Sequence, residues 1–388
     1  MNFDLTDEHQ MLQDSLRRFL KYSCNSKTRN EALSSETGVT SDLWHAMAEM
    51  GVIGAFFTEE QGGFGGTGAD IALIFEELGR ANIVSPFLDS ALLSGRVLAA
   101  ACELDRVADL IGGDLQLALA HGEPTSRYDL NYVRTTSVNG ILNGRKAVVV
   151  NALASDVLIV SARTSGEVSD ENGISLYFVE KDAAGLTIQD YALIAGGHAA
   201  EVTLDGVEGS LIGEEGKGFA LLKDAYAIAT VAQCAETLGA MTTATELTQE
   251  YLVTRQQFGR PIATFQALAH RMSDMLIEME QARSAVIRAA GYFESDERTR
   301  DINIHAAKNL MGRAGRLIAE ESIQMHGGIA MTQEYELAHI AKRITMADHR
   351  FGDTDYHLEK FMALTQPGEG ECVCPLEPNW RSWHERIR

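Results

Sequence analysis

Apolar positions along the chain follow three different rhythms. To about residue 112 they recur with helical spacing. Thr6 can cap a helix whose first turn carries Asp7 and Glu8 at the positive end of the dipole. Leu12, Leu16, Phe19 and Leu20 then share a face. Ser41 and Asp42 open a second helix through Trp44, Met47 and Met50, and Gly51 stops it. Ile71, Ile74, Phe75 and Leu78 have the i, i+3, i+4, i+7 pattern of another. Ser85-Pro86 predicts an N-cap followed by proline at the first helical position.

From about Leu115 the period falls to two: Leu115, Leu117 and Leu119 alternate with Gln116, Ala118 and Ala120. Asn139-Gly140 and Asn143-Gly144 are turn pairs, and β-rich runs follow at Ala147–Val150, Val157–Ser161, Ser175–Val179 and Glu201–Leu204. From Phe219 longer helical patterns return. Met272, Met275, Leu276 and Met279 share one face, and further patterns run over about 301–325 and 355–364. Strands and helices are segregated, which predicts an α+β fold and not a parallel dinucleotide-binding sheet. The expected domains are 1–112 (helical), 113–212 (β), 213–365 (helical bundle) and 366–388 (an extended tail).

Composition narrows the class. Thirty-three Lys and Arg face 55 Asp and Glu among 388 residues, a formal charge of −22. Such a surface disfavours nucleic acid and anionic membrane. No apolar run approaches the roughly 18–20 residues of a membrane span, and no secretory signal is visible at the start. The five cysteines are scattered, as expected in a reducing cytoplasm. Cys372-x-Cys374 lacks the second pair that a zinc site requires.

Four segments stand out. Glu59-Glu60-Gln61-Gly62-Gly63-Phe64-Gly65-Gly66 is a phosphate loop or, given its negative charge, a plain turn. Leu211–Phe219 is a glycine-rich approach to a ligand or an interdomain connection. Arg255-Gln256-Gln257-Phe258-Gly259-Arg260-Pro261, with Phe265-Gln266, combines guanidinium, amides and aromatics, and suits either an anion with a planar ring or a capped helix end. Gln324-Met325-His326-Gly327-Gly328 is a helix stop or a close backbone approach to a ligand.

Taken in order, these segments resemble the acyl-CoA dehydrogenase family over about residues 1–364. The resemblance implies that FAD lies between the β domain and the bundle. It also implies α,β-dehydrogenation of an acyl-CoA thioester, and reoxidation by an electron-transfer flavoprotein. In the family a carboxylate takes the α-proton. Its usual position falls on Phe351 here, and the alternative position on an earlier helix falls on Ala229-Thr230. Neither can accept a proton; Asp353 and Glu236 are the remaining candidates. Around the flavin ring the family's Thr-Glu-Pro segment reads Gly122-Glu123-Pro124, and its Trp-Ile-Thr-Asn strand reads Val148-Val149-Val150-Asn151.

The other half of the cofactor site matches. The resemblance assigns Arg255, Gln257, Phe258, Gln266, Gln324, Gly327 and Gly328 to the ADP half of a neighbouring subunit's FAD. The chain is similar to the small subunit of heteromeric members such as pimeloyl-CoA dehydrogenase, and steroid acyl-CoA dehydrogenases use a comparable pairing. The expectation is a subunit that completes a catalytic partner's flavin site and is inactive alone. The alternatives are a self-sufficient enzyme with an atypical base and a non-enzymatic scaffold.

Overall fold

The computed structural model describes residues 6–366. The expected tail, with Cys372 and Cys374, lies outside the described residues apart from Gln366. Six helices come first: α1 (Asp7–Ser23), α2 (Ser26–Ser34), α3 (Ser41–Glu49), α4 (Gly68–Arg80), α5 (Gly95–Ala100) and α6 (Leu104–Gly112). Thr6 caps α1 by accepting from the His9 N–H. Ser85-Pro86 departs from expectation, because Phe87–Ser94 winds as a π-helix with no side-chain cap. Two serines support the wider turn: Ser94 donates to the Asp89 carbonyl five residues back, and Ser90 accepts from Leu117 N–H.

Eight strands follow: β1 (Leu117–Ala120), β2 (Thr136–Val138), β3 (Ile141–Val150), β4 (Val157–Arg163), β5 (Ile174–Glu180), β6 (Leu186–Ala192), β7 (His198–Glu208) and β8 (Ser210–Ile212). They form one sheet in the order β6-β7-β3-β2-β4-β5-β8, with β1 parallel to β4. The β3–β7 register shifts between Lys146 and Val149. This bulge puts Val148 at φ +53° and leaves it 57% exposed, an unusual conformation for a β-branched residue.

The bundle comprises α7 (Gly218–Thr254), α8 (Gln266–Gly291), α9 (Glu297–His326), α10 (Glu336–Ala347) and α11 (Thr354–Thr365). α7 is buried on all sides through its middle, as a central helix must be. Its closest neighbour is α4. A Cβ on Gly79 would lie 1.9 Å from the Glu236 carbonyl oxygen, and one on Gly239 would lie 2.0 Å from that of Glu76. The two helices therefore cross backbone to backbone, and alanine at either glycine would force them apart. On α8, Met275 and Met279 are buried as expected, but Leu276 is 48% exposed.

Candidate functional site

A cleft of about 910 Å³ opens between the β sheet and the bundle. Its β side is the Glu123-Pro124 turn with Val148 and Val150; its bundle side includes Tyr226, Thr230, His305 and Phe351. A buried ion pair stiffens the β side. Lys146, with no exposed surface, donates to Glu123 Oε1 at 2.8 Å, to Ser161 Oγ at 3.0 Å and to the His121 carbonyl at 3.2 Å. Glu123 also accepts from Arg134 N–H, Thr135 N–H and the Thr135 hydroxyl. Burial opposes the Glu123 charge, but Lys146 and these donors hold the carboxyl below its usual range. Burial pushes Lys146 down to about 8 against the pull of Glu123. His121, enclosed beside Lys146, is pushed down to about 3 and stays neutral.

On the bundle side, Phe351 (φ +58°) and Gly352 (φ +108°) form the turn between α10 and α11. α9 anchors this turn. Lys308, 2% exposed, donates to the Ala347 carbonyl at 2.8 Å, a cation at the C-terminal end of α10. Asn309 donates to the Thr354 carbonyl. His357 Nε2 lies 2.9 Å from the Phe351 carbonyl, which can only accept, so Nε2 carries the proton. In the neutral ring Nδ1 must then accept, and the His305 Nδ1–H, 2.8 Å away, supplies the bond. The Phe351 ring is held edge-on to Tyr226 at 5.5 Å, with the Arg350 guanidinium 5.1 Å from its centre. The scaffold of the turn is firm, and the side chain it presents is a phenyl ring.

Neither substitute base is free. Asp353 caps α11 by accepting from the Tyr356 N–H at 2.9 Å, because a helix starting at Thr354 leaves that donor unpaired. Glu236 is ion-paired with Arg343 and bonded by Gln233. Local hydrogen bonding thus engages both Asp353 and Glu236. Ala229 is buried in α7, and Thr230 donates to the Tyr226 carbonyl.

The second cluster lies on the outer surface of the bundle. Gln256-Gln257 and Arg260-Pro261 pair as a hairpin around Phe258 (φ +55°) and Gly259 (φ +78°). Two-residue turns with both φ values positive favour Asn-Gly. Here an aromatic residue takes the strained place and is 89% exposed. Arg255, Gln257, Gln266, Gln324, Gly327 and Gly328 are exposed as well. A Cβ at Gly328 would meet nothing within 4 Å, so packing within this chain does not demand glycine there. Guanidinium, carboxamides and an open glycine pair fit the phosphate and adenosine half of a dinucleotide held outside this chain. His326 is structural: it stacks on Tyr251, bonds the Ser322 carbonyl through Nδ1 and accepts from the Tyr335 hydroxyl. The Glu59–Gly66 segment packs tightly, since a Cβ on Gly63 would lie 2.3 Å from two carbonyl oxygens. Among the described residues no group of three or more His, Cys, Asp or Glu could hold a metal ion. Nor is any described helix long and apolar enough to cross a membrane.

Three family models match in this same order. They are the acyl-CoA dehydrogenase N-terminal domain over residues 6–101, the middle domain over 118–207 and the C-terminal domain over 216–363. The chain belongs to the acyl-CoA dehydrogenase family. Similar proteins include the benzylmalonyl-CoA dehydrogenase of Aromatoleum aromaticum, 30% identical over 75% of this chain and 80% of that protein. The (2S)-methylsuccinyl-CoA dehydrogenase of Cereibacter sphaeroides is 28% identical over 87% of this chain, which spans 65% of its length. Among solved structures, a variant of the Tcur3481-Tcur3483 steroid ACAD superposes with TM-score 0.83 at 25% identity. It covers 92% of this chain and 97% of that one. The ChsE4-ChsE5 complex from Mycobacterium tuberculosis shares the fold, with TM-score 0.84 at 22% identity over 95% of this chain and 100% of that one. Membership makes the chain one of a family of FAD-binding oxidoreductases.

The neutral histidines set a pH dependence. Burial pushes His305 down to about 4 and His357 down to about 3, alongside His121. All three lie below the unfolded value near 6.5, so the unfolded state binds more protons as the pH falls through that value. Stability is full above about pH 7 and declines below 6.5. Each histidine kept neutral down to pH 5 should cost about 2 kcal/mol there. Urea midpoints at pH 7.5 and pH 5, where most carboxylates stay ionised, measure the loss, and a flat profile over that range contradicts it.

Proposed function

We propose that this chain is the small, non-catalytic subunit of a heteromeric acyl-CoA dehydrogenase, and that it completes the FAD site of a base-bearing partner. Bound FAD supplies the hydride acceptor for α,β-dehydrogenation of the acyl-CoA thioester. This chain's part is to hold the ADP half. Arg255 pairs with the pyrophosphate, Gln257, Gln266 and Gln324 offer amides, Phe258 offers a ring face, and Gly327-Gly328 lets backbone come close. The observation that carries the reading is Phe351 on an intact turn: the position that requires a proton acceptor holds a hydrocarbon. The similarity to the Tcur3481-Tcur3483 steroid ACAD adds support, and degradation of steroid or other lipid acyl groups in the cytoplasm is the setting proposed. An electron-transfer flavoprotein is the proposed acceptor. A self-sufficient enzyme has less support, since Asp353 and Glu236 are both engaged.

Co-expression with a base-bearing partner subunit should give a complex that carries flavin, whereas the chain alone should carry little. Arg255→Ala should lower flavin retention by the complex about tenfold or more. Losing a charge-assisted contact costs about 1.5–3 kcal/mol, and Arg255 is too exposed for the fold to depend on it. Flavin absorbance per complex after dialysis reads the effect. Undiminished occupancy in the variant removes Arg255 from the site.

A further inference from the structure

Two tyrosines meet across the mouth of the cleft. Tyr128 comes from the β1–β2 loop and Tyr356 from the first turn of α11, and both line the cleft. Their ring centres are 5.4 Å apart and the planes are tilted by 56°, a direct aromatic contact. Each is half-buried and adjoins an exposed rim residue: Asp129 follows Tyr128, and Lys360 lies over the Tyr356 ring at 5.1 Å. His121 and Glu123, further along the same wall, are buried. The contact therefore spans the outer end of the cleft and not its floor. The charges agree. Burial, then the Asp353 and Asp348 carboxylates of the bundle, push the Tyr128 hydroxyl up. Burial, then Asp129 of the opposite rim and Glu359, push Tyr356 up to about 12. Both phenols stay protonated, and each wall's tyrosine stands beside the other wall's acid.

Both ends of the contact are braced from behind. On the β side the loop turns at Arg127, whose φ of +49° is a left-handed conformation that a long side chain seldom adopts. Such strain persists only where the surroundings over-determine the backbone. Arg163 supplies much of that determination. It is 7% exposed and donates to four carbonyls at 2.8–2.9 Å, those of Asn131, Val168, Asp170 and Asn172. Asn131 in turn donates to the Ser169 carbonyl. A buried guanidinium thus staples the β1–β2 loop to the β4–β5 hairpin through backbone dipoles. On the bundle side Tyr356 packs on the α10–α11 turn. A Cβ at Gly352 would lie 2.5 Å from its ring, and His357 stands edge-on to it at 5.2 Å. Loose side chains would swing aside for a ligand, whereas a pair held at both backbones must be pried apart.

We propose that the Tyr128–Tyr356 contact is a strut that holds this chain's own cleft shut, so that the cleft excludes ligands as well as lacking a base. The inference goes beyond the functional reading above and does not depend on it, since it holds whether or not a partner completes a flavin site. The missing base and the strut are separate devices. Phe351 removes the proton acceptor from the inner turn, and the strut sets how often anything reaches that turn. A cleft open about one-tenth of the time binds about tenfold more weakly than the same cleft unlatched.

Calorimetric titration of the full chain with octanoyl-CoA as the probe tests this. Tyr128→Ala and Tyr356→Ala should each bind it about tenfold or more tightly than the wild type. The double variant should bind no more tightly than either single one, because one cut already breaks the strut. Tyr128→Phe keeps the ring and should bind as weakly as the wild type. Wild-type affinity equal to that of both alanine variants, gains that multiply in the double variant, or a phenylalanine variant as open as the alanine one overturns the proposal. Hydrogen exchange in the wild type gives a second reading that needs no variant. The amides of residues 125–132 and 353–358 should open together in one step. A loop that exchanges freely while the turn stays protected overturns the proposal as well.

Discussion

Purified without a partner, the chain is expected to oxidise acyl-CoA thioesters about 10²–10⁴-fold more slowly than a family member that carries the carboxylate, the usual contribution of general base catalysis. The reason is local. The α10–α11 turn is fixed by Lys308, Asn309 and His357, but it offers the Phe351 ring. No relaxation of a held turn converts that ring into an acceptor. Asp353 is occupied as the cap of α11, and Glu236 is paired with Arg343. Phe351→Glu alone should not rescue turnover, because Val148 and Val150 still replace the family's tryptophan and threonine beside the ring. Dye-linked assays across acyl chain lengths, at added flavin, measure this. Robust turnover by the homogeneous chain, lost in Asp353→Asn, would return the self-sufficient reading to first place.

The second large effect concerns stability. Lys146→Met should destabilise the protein by about 3–5 kcal/mol, the cost of leaving a buried charge without its partner. Glu123, 7% exposed, would keep its backbone donors but lose the ammonium. Adding Glu123→Gln should recover part of the loss, since a neutral amide is cheaper to bury than an orphaned carboxylate. Urea denaturation of both variants reads the difference. A Lys146→Met cost under about 1 kcal/mol would mean that water reaches the pair. Such a loss is a large share of a domain's usual margin of about 5–15 kcal/mol.

Helical spacing made much of the core legible. Leu16, Trp44, Met47, Ile71, Ile74, Phe75 and Leu78 are all essentially buried, because a one-sided apolar stripe has only one way to face. β6 escaped notice, since an edge strand carrying Gln189 and Asp190 is only half covered and alternates weakly. The Gly79–Gly239 crossing was invisible, because nothing within either helix reports which partner will press on its glycine. Asp353 could have been read from its neighbours: an aspartate just after glycine and just before a helical run is an N-cap signal. The His305–His357 relay joins two helices, and neither histidine carries a mark of the other in sequence.

The Phe258-Gly259 hairpin has a consequence for supply. A binding surface that faces away from its own chain makes cofactor uptake and subunit association one linked equilibrium, in which each strengthens the other by the same factor. On the proposed assembly, dilution should strip the flavin, and scarcity of the flavin should dissolve the complex. Riboflavin status would then govern how many of these subunits find employment, with no change in their synthesis.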